Sequence, residues 1–219
     1  MIVLLIVLVS LLLVDRIAVA GVERELAGRI AAVPGLSGTP TVSIEGVPFL
    51  TQAVSGRYPE VRFRLGTFSQ GGVLVENLQG AAYDVRAPLG GVLRGRADVR
   101  AARVRVSGTL SRATIARYAP SGVRIGGNGQ RLTASGEVTI GANKVRFDAE
   151  MRVEISAGKL TLKAERLQGL PVPEQLARLI SYPIPVALPF EVKLTGVRNL
   201  PDGLELSAEA FDVPFRAGG

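Results

Sequence analysis

The sequence predicts a β-rich α+β fold: a long antiparallel sheet behind an apolar N-terminal helix, with one or two further short helices. Three observations lead there. Apolar and polar residues alternate over most of the chain beyond residue 40, the period-two signature of strands with one buried and one wet face. Past the N-terminus, only two segments carry helix start and stop signals. The first fourteen residues, MIVLLIVLVSLLLV, are apolar apart from Ser10.

That N-terminal run is the first element. As a helix, Met1–Val14 reaches about 21 Å, short of the roughly 30 Å hydrocarbon core of a bilayer. The length suits the apolar core of a signal peptide, and Ala18-Val19-Ala20 before Gly21 has the small-residue spacing of a cleavage site. Against cleavage, no basic stretch precedes the run, and Ile17, Val22, Leu26 and Ile30 carry an apolar helical stripe through the site. Residues 1–20 therefore read as a signal peptide or a short uncleaved membrane anchor, and 21–219 as one domain. Both readings send the domain across a membrane, to the periplasm or cell envelope, either membrane-anchored or secreted.

A turn cluster of Pro34-Gly35, Gly38 and Pro40 ends the N-terminal helix, and strands follow. Val61, Phe63 and Leu65 alternate with Glu60, Arg62 and Arg64; Tyr83, Val85 and Ala87 alternate with Asp84 and Arg86. In RADVRAARVRVSG the apolar positions change parity between Ala101 and Val104, which predicts a bulge. KVRFDAEMRVEI is the clearest strand. Val145, Phe147, Ala149, Met151, Val153 and Ile155 share one face, and Lys144, Arg146, Asp148, Glu150, Arg152 and Glu154 the other. Twelve such residues span roughly 40 Å. The pattern recurs at Leu160, Leu162 and Ala164, from Leu188 and Phe190 to Leu194, and from Leu204 to Ala210. The two helical segments are SRATIARYAP, with Ser111 as N-cap, and PEQLARLISYP, which opens on Pro173 and Glu174 and closes before Pro183. Leaving the apolar face of the Val145–Ile155 strand in water would cost on the order of 10 kcal/mol. The sheet must then curl on itself, pack on a second sheet, or enclose a helix together with an apolar ligand.

Composition narrows the chemistry. The chain has no Cys and no His, which removes thiol nucleophiles, disulfides, His-based triads and nearly all zinc or copper sites. Its acidic residues do not cluster with the spacing of a metal-binding loop. RIGGNGQR, Arg124–Arg131, is followed by no helix bearing Lys-Ser/Thr, so it reads as hairpin turns and not as a phosphate loop. No catalytic residue, metal or cofactor is expected and the chain reads as a non-enzyme, with a Ser-Lys hydrolase as the one catalytic rival. The charge is uneven. Arg86 to Arg131 holds ten Arg, no Lys and a single acid, a net +9 against −2 for the rest of the chain. Arg-only clustering suits bidentate contact with phosphate, as on anionic lipid head groups or an anionic membrane surface. The same residues alternate with core positions and equally fit a solvated face. Nucleic acid is not expected as a partner, since Tyr83 and Tyr118 are the sole stacking aromatics nearby and no recognition motif is present.

One stretch is more specific. GVPFLTQAVSGRYPEVRF, Gly46 to Phe63, resembles the signature of the actinobacterial LmeA-like phospholipid-binding family at Pro48, Phe49, Leu50, Thr51, Gln52, Gly56, Tyr58 and Val61. The leader ending in Asp15-Arg16, the VSGTLSRATIARY step and LPFEVKLTGVRNLPDGLELSAEAFDVPF extend the resemblance along nearly the whole chain. It implies a long curved antiparallel sheet wrapped around a helix, similar to the tubular (TULIP-like) lipid-binding fold. It also implies an envelope protein that binds or shuttles phospholipid without catalysis.

Joined to the residue patterns, the resemblance gives a set of expected contacts. Phe49, Leu50, Phe63, Leu65, Phe147, Met151, Leu188 and Phe190 are expected to line an apolar groove or its rim. Arg100, Arg103, Arg105 and Arg117 are expected to meet head groups or membrane. The partners are then phospholipid and an anionic membrane surface, and the exposed edges of a long sheet offer a route to a homodimer. The rival from another class is an envelope scaffold with a self-packed β core that docks a second protein.

Overall fold

A computed structural model describes residues 1–70, 72–88, 98–129, 131–140, 143–156, 159–167, 169–172, 177, 181–184 and 192–216. Among them the chain runs α1 (Ile2–Ala31), β1 (Leu36–Ser37), β2 (Thr41–Glu45), α2 (Phe49–Ser55), β3 (Arg57–Gln70), β4 (Val73–Arg86) and β5 (Asp98–Ser111). It continues with α3 (Arg112–Tyr118), β6 (Arg124–Gly127), β7 (Leu132–Ile140), β8 (Asn143–Ser156), β9 (Lys159–Leu167) and β10 (Leu170–Pro171). The last strands are β11 (Tyr182–Ile184), β12 (Lys193–Leu200) and β13 (Gly203–Arg216). The architecture is the expected β-rich α+β one, with antiparallel sheets, an apolar N-terminal helix and short helices. The strands form two sheets, ordered β1-β3-β4-β5-β13-β12 with β2 also on β3, and β10-β9-β8-β7-β6 with β11 also on β9. The chain divides into two compact units, residues 1–68, 77–106 and 209–219 in the first and 69–76 and 107–208 in the second.

In the first unit, α1 packs on β2 and α2, β2 pairs with the N-terminal part of β3, and Phe49 of α2 lies against Tyr58 of β3. The β2–β3 register sets Val42 opposite Phe63 and Ile44 opposite Val61, and Ile44, Phe49, Ala53, Tyr58, Ala82, Val85, Ala101 and Val104 are buried. Gly80 is required by a close approach: a Cβ there would lie 2.7 Å from the Phe63 ring and 2.2 Å from the Arg105 carbonyl oxygen. Ala101 and Val104 are both buried although three apart, so the expected change of parity in β5 is present.

The alternation breaks at three further places that the residue pattern did not mark. Asn77, Asp84 and Asp212 have left-handed backbones, with φ of 52°, 50° and 48°. Around each, the buried positions change parity: Val75 before Asn77, Ala82 and then Val85 on either side of Asp84, Ala210 and then Val213 on either side of Asp212. Asn and Asp tolerate this conformation better than other side chains, so β4 gains two turned-out residues and β13 one. The expectation that Tyr83 shares a face with Val85 and Ala87 is corrected by the break at Asp84. Tyr83 lies instead beneath the Arg103 and Arg105 guanidiniums, 4.7 and 5.6 Å from its ring centroid.

The second unit holds the whole β6–β11 sheet. On β8, Phe147, Ala149 and Met151 are buried while Arg146, Asp148 and Arg152 are exposed, as the alternation predicts. Its fourteen residues reach about 48 Å. Between Glu150 and Met151 the register with β9 shifts, pairing Glu150 with Arg166 but Met151 with Ala164. Glu165 is left over and turned outward. The α3 helix starts where its cap predicts, with the Ser111 hydroxyl accepting from the Thr114 N–H at 3.3 Å, and it buries Thr114 and Ile115. Leu110, Ile115, Leu160, Leu162, Ile184 and Leu204 are the most deeply buried side chains of this unit. Most of the predicted helix over PEQLARLISYP lies outside the described residues.

Candidate lipid- and membrane-contact site

The N-terminal helix is continuous over 30 residues and runs straight through Ala18-Val19-Ala20. It is long and apolar enough to cross a membrane, with a mean hydropathy of 2.8 over its most apolar stretch. The large apolar side chains from Ile2 to Val14 are all exposed. Each such side chain gains about 1.5–3 kcal/mol on leaving water, so together they outweigh the roughly 5–15 kcal/mol that stabilises a typical fold. Such a surface belongs against lipid or another apolar partner.

Docking begins at Asp15. Asp15 and Val19 are buried, and Val22, Glu23, Leu26 and Ile30 are half-buried, which makes one face of the helix. Ile17, expected on that stripe, is 72% exposed, because two residues beyond Asp15 a helical position sits on the opposite side of the axis. Asp15 is only 1% exposed. Its Oδ1 accepts the Leu50 N–H at 2.7 Å, with the Phe49 N–H contributing, and its Oδ2 accepts from Arg16 at 2.6 Å. Those amides are the free donors at the start of α2, whose own N-cap, Pro48, has no side-chain acceptor. The cap of α2 is therefore supplied from α1, 35 residues earlier. Eight residues along the same face, Glu23 Oε1 accepts the Ile44 N–H of β2 at 2.7 Å.

The PFLTQ segment is the other half of this junction. Gly46 turns the chain at φ 101°, and a Cβ there would lie 2.7 Å from Gln52 Nε2. The Val47–Pro48 peptide is cis. Phe49 is 2% exposed, with its ring centroid 6.2 Å from that of Tyr58, and burial pushes the Tyr58 phenol up. Gly56, left-handed at φ 63°, ends α2 and donates its N–H to the Gln52 carbonyl. On the outer side, Val47 is 64%, Leu50 37% and Val54 91% exposed.

The other expected contacts are dispersed. Phe63 and Leu65 are half-buried on β3 in the first unit, Phe147 and Met151 buried on β8 in the second, and Leu188 and Phe190 lie outside the described residues. The second unit carries a cleft of about 380 Å³ where β8 and β9 shift register, with Met151, Val153 and Val197 in its lining. Its charged lining holds the pairs Arg131–Glu150, at 2.7 Å, and Arg152–Glu165, together with Arg166. Among the described residues the buried Tyr182 hydroxyl has no hydrogen-bond partner, and burial pushes its phenol far up.

Arg100 lies 3.6 Å from Asp212, and Arg105 pairs with Glu209 at 2.5 Å, which pushes its guanidinium further up. Arg103 stacks on Tyr83, and Arg117 is exposed on α3. The acids that answer Arg100 and Arg105 come from β13, more than a hundred residues downstream, so the +9 segment is partly neutralised by strand pairing.

A family model for LmeA-like phospholipid-binding proteins matches residues 13–209. The chain belongs to that family. No curated protein and no solved structure matches it. Within this LmeA-like chain the match opens two residues before Asp15, so it takes in the docking half of α1 and the whole α1–α2 junction but little of the exposed apolar run. The residues that sequence reasoning missed are Asp15 and Glu23 as acceptors, and Glu209 and Asp212 as partners of the Arg face. Asp15 and Glu23 carried a signal: two acids eight apart lie on one helical face, and one of them interrupts an apolar run. The β13 acids carried none, since their pairing depends on strand order.

Proposed function

We propose that this LmeA-like protein works in the cell envelope on the far side of the plasma membrane, where it binds phospholipid without turning it over chemically. The family match over residues 13–209 carries the reading, and the exposed apolar α1 supports a membrane setting. Acyl chains lie against the apolar strand positions, Phe63 and Leu65 in the first unit and Phe147 and Met151 in the second, with Leu188 and Phe190. Anionic head groups are met by basic side chains. Among the four Arg expected in that role, Arg117 is the most open candidate, because Arg100, Arg103 and Arg105 already engage Asp212, Tyr83 and Glu209. Bound lipid is handed on to the membrane, which makes the protein a shuttle.

The full chain in vesicles that contain a phospholipid with a photoreactive acyl end tests this. Crosslinks to peptides bearing Phe63, Leu65, Phe147 or Met151 are the expected result. Crosslinks confined to residues 2–14 and α2 would show membrane contact without a lipid-binding groove and would overturn the reading.

A further inference from the structure

The apolar run of α1 and the exposed face of α2 meet at one residue. The Leu50 N–H bonds Asp15 at 2.7 Å, so Val47, Leu50 and Val54 begin where the exposed helix Ile2–Val14 leaves the folded unit. Both surfaces are wet in the isolated chain; the first has no aromatic or charged residue among its exposed positions from Ile2 to Val14, and the second sets Val47, Leu50 and Val54 beside the uncharged Thr51 and Ser55. Recognition of a protein partner is built on aromatic and Arg anchors, which this joined surface lacks; a hydrocarbon layer asks only for apolar area. The two surfaces are therefore suited to one occupant, a phospholipid bilayer.

The same junction bears on cleavage. Removal of residues 1–20 at Ala20-Gly21 would delete Asp15 and leave the start of α2 without its acceptor. It would also take Val19 from the core. The family match begins at residue 13, so the segment that cleavage would discard is family sequence and not leader alone. We infer that the N-terminal segment is retained: residues 2–14 insert into the bilayer as an anchor, and Val47, Leu50 and Val54 of the α2 region seat on the same leaflet. Residues 2–14 reach about 20 Å into a hydrocarbon layer roughly 30 Å thick. The inserted helix and the seated α2 give two membrane contacts separated by the Asp15–Leu50 bond, which fixes how the first unit stands on the lipid.

The retained segment is tested by the intact mass of the full chain, expressed in a bacterium and purified from its membranes. The expected mass includes residues 1–20, and a mass that starts at Gly21 would overturn the inference. Seating is tested by fluorescence, because the chain has no Trp and Val54→Trp supplies a single indole at an exposed, non-core position. In phosphatidylcholine vesicles brominated on the acyl chains, the V54W chain is expected to lose most of its emission relative to unbrominated vesicles and to be shielded from iodide. Emission that iodide quenches and bromine leaves alone would overturn the seating of α2. Neither readout requires uptake of a lipid molecule into the protein, so failure here is distinguishable from failure of the phospholipid-binding reading.

Discussion

Asp15 does at residue scale what a helix usually does for itself. An acid placed at the edge of an apolar segment is buried, yet it meets two backbone amides and Arg16, so its charge is satisfied. Asp15→Ala leaves those amides without a partner, and about 1–3 kcal/mol of stability should be lost. Thermal melting of the purified variant checks this, with a fall of several degrees expected. Phe49 and Leu50 are neighbours with opposite surroundings. Phe49→Asp should lower stability by about 3 kcal/mol or more, while Leu50→Asp should melt as the parent does and bind vesicles less. Sequence could not separate the two, because the face of α2 that points inward is chosen by where Asp15 holds it. Tyr182 gives a third test. Its buried hydroxyl has no partner among the described residues, so Tyr182→Phe should be neutral or stabilising. Burial raises the folded-state pKa above the ordinary value of 10.0, so the neutral phenol's contribution holds below that value and is lost as pH rises beyond it. The melting temperature of the parent should therefore fall more steeply than that of Y182F above about pH 10, so that the two curves diverge there.

At the scale of elements, the strands were legible and their irregularities only partly so. The alternation from Phe147 to Ile155, the Ser111 cap and the parity change in β5 all stand in the structure, because each is a local pattern of side-chain polarity. The left-handed residues Asn77, Asp84 and Asp212 were not legible. An Asp inside an alternating strand looks like any other outward position, and only the partner strand reveals that it is an extra one. The register shift at Glu165 was hidden for the same reason. A direct check uses Asp84. Asp84→Val places a β-branched residue at φ 50° and should cost about 1–3 kcal/mol, whereas Asp84→Gly should be close to neutral. Equal melting temperatures for the two variants would show that the backbone at this position relaxes.

For the whole molecule, charge and apolar surface had different fates. The Arg excess between residues 86 and 131 was plain in the sequence, but two of its members are answered by Glu209 and Asp212 through strand order that composition does not carry. The apolar N-terminus was equally plain, and its meaning changed. It reads in isolation as a leader, yet its continuation docks on β2 and α2 through Glu23 and Asp15. The VPFLTQ segment shared with the family is thereby given a physical reason: it forms the short helix that α1 caps. Family membership was legible for the same reason, since the junction needs Gly46, Phe49, Gln52, Gly56 and Tyr58 at fixed spacing.

The central claim is that the folded protein holds phospholipid. The chain shortened to residues 15–219 keeps Asp15, Val19 and Glu23 and lacks the exposed apolar run. It should be purified without detergent, and its organic extract analysed by mass spectrometry. A phospholipid in near-equal amount to protein, replaceable by labelled phospholipid from vesicles, is the predicted result. A folded protein that is lipid-free and takes up none from vesicles would contradict it.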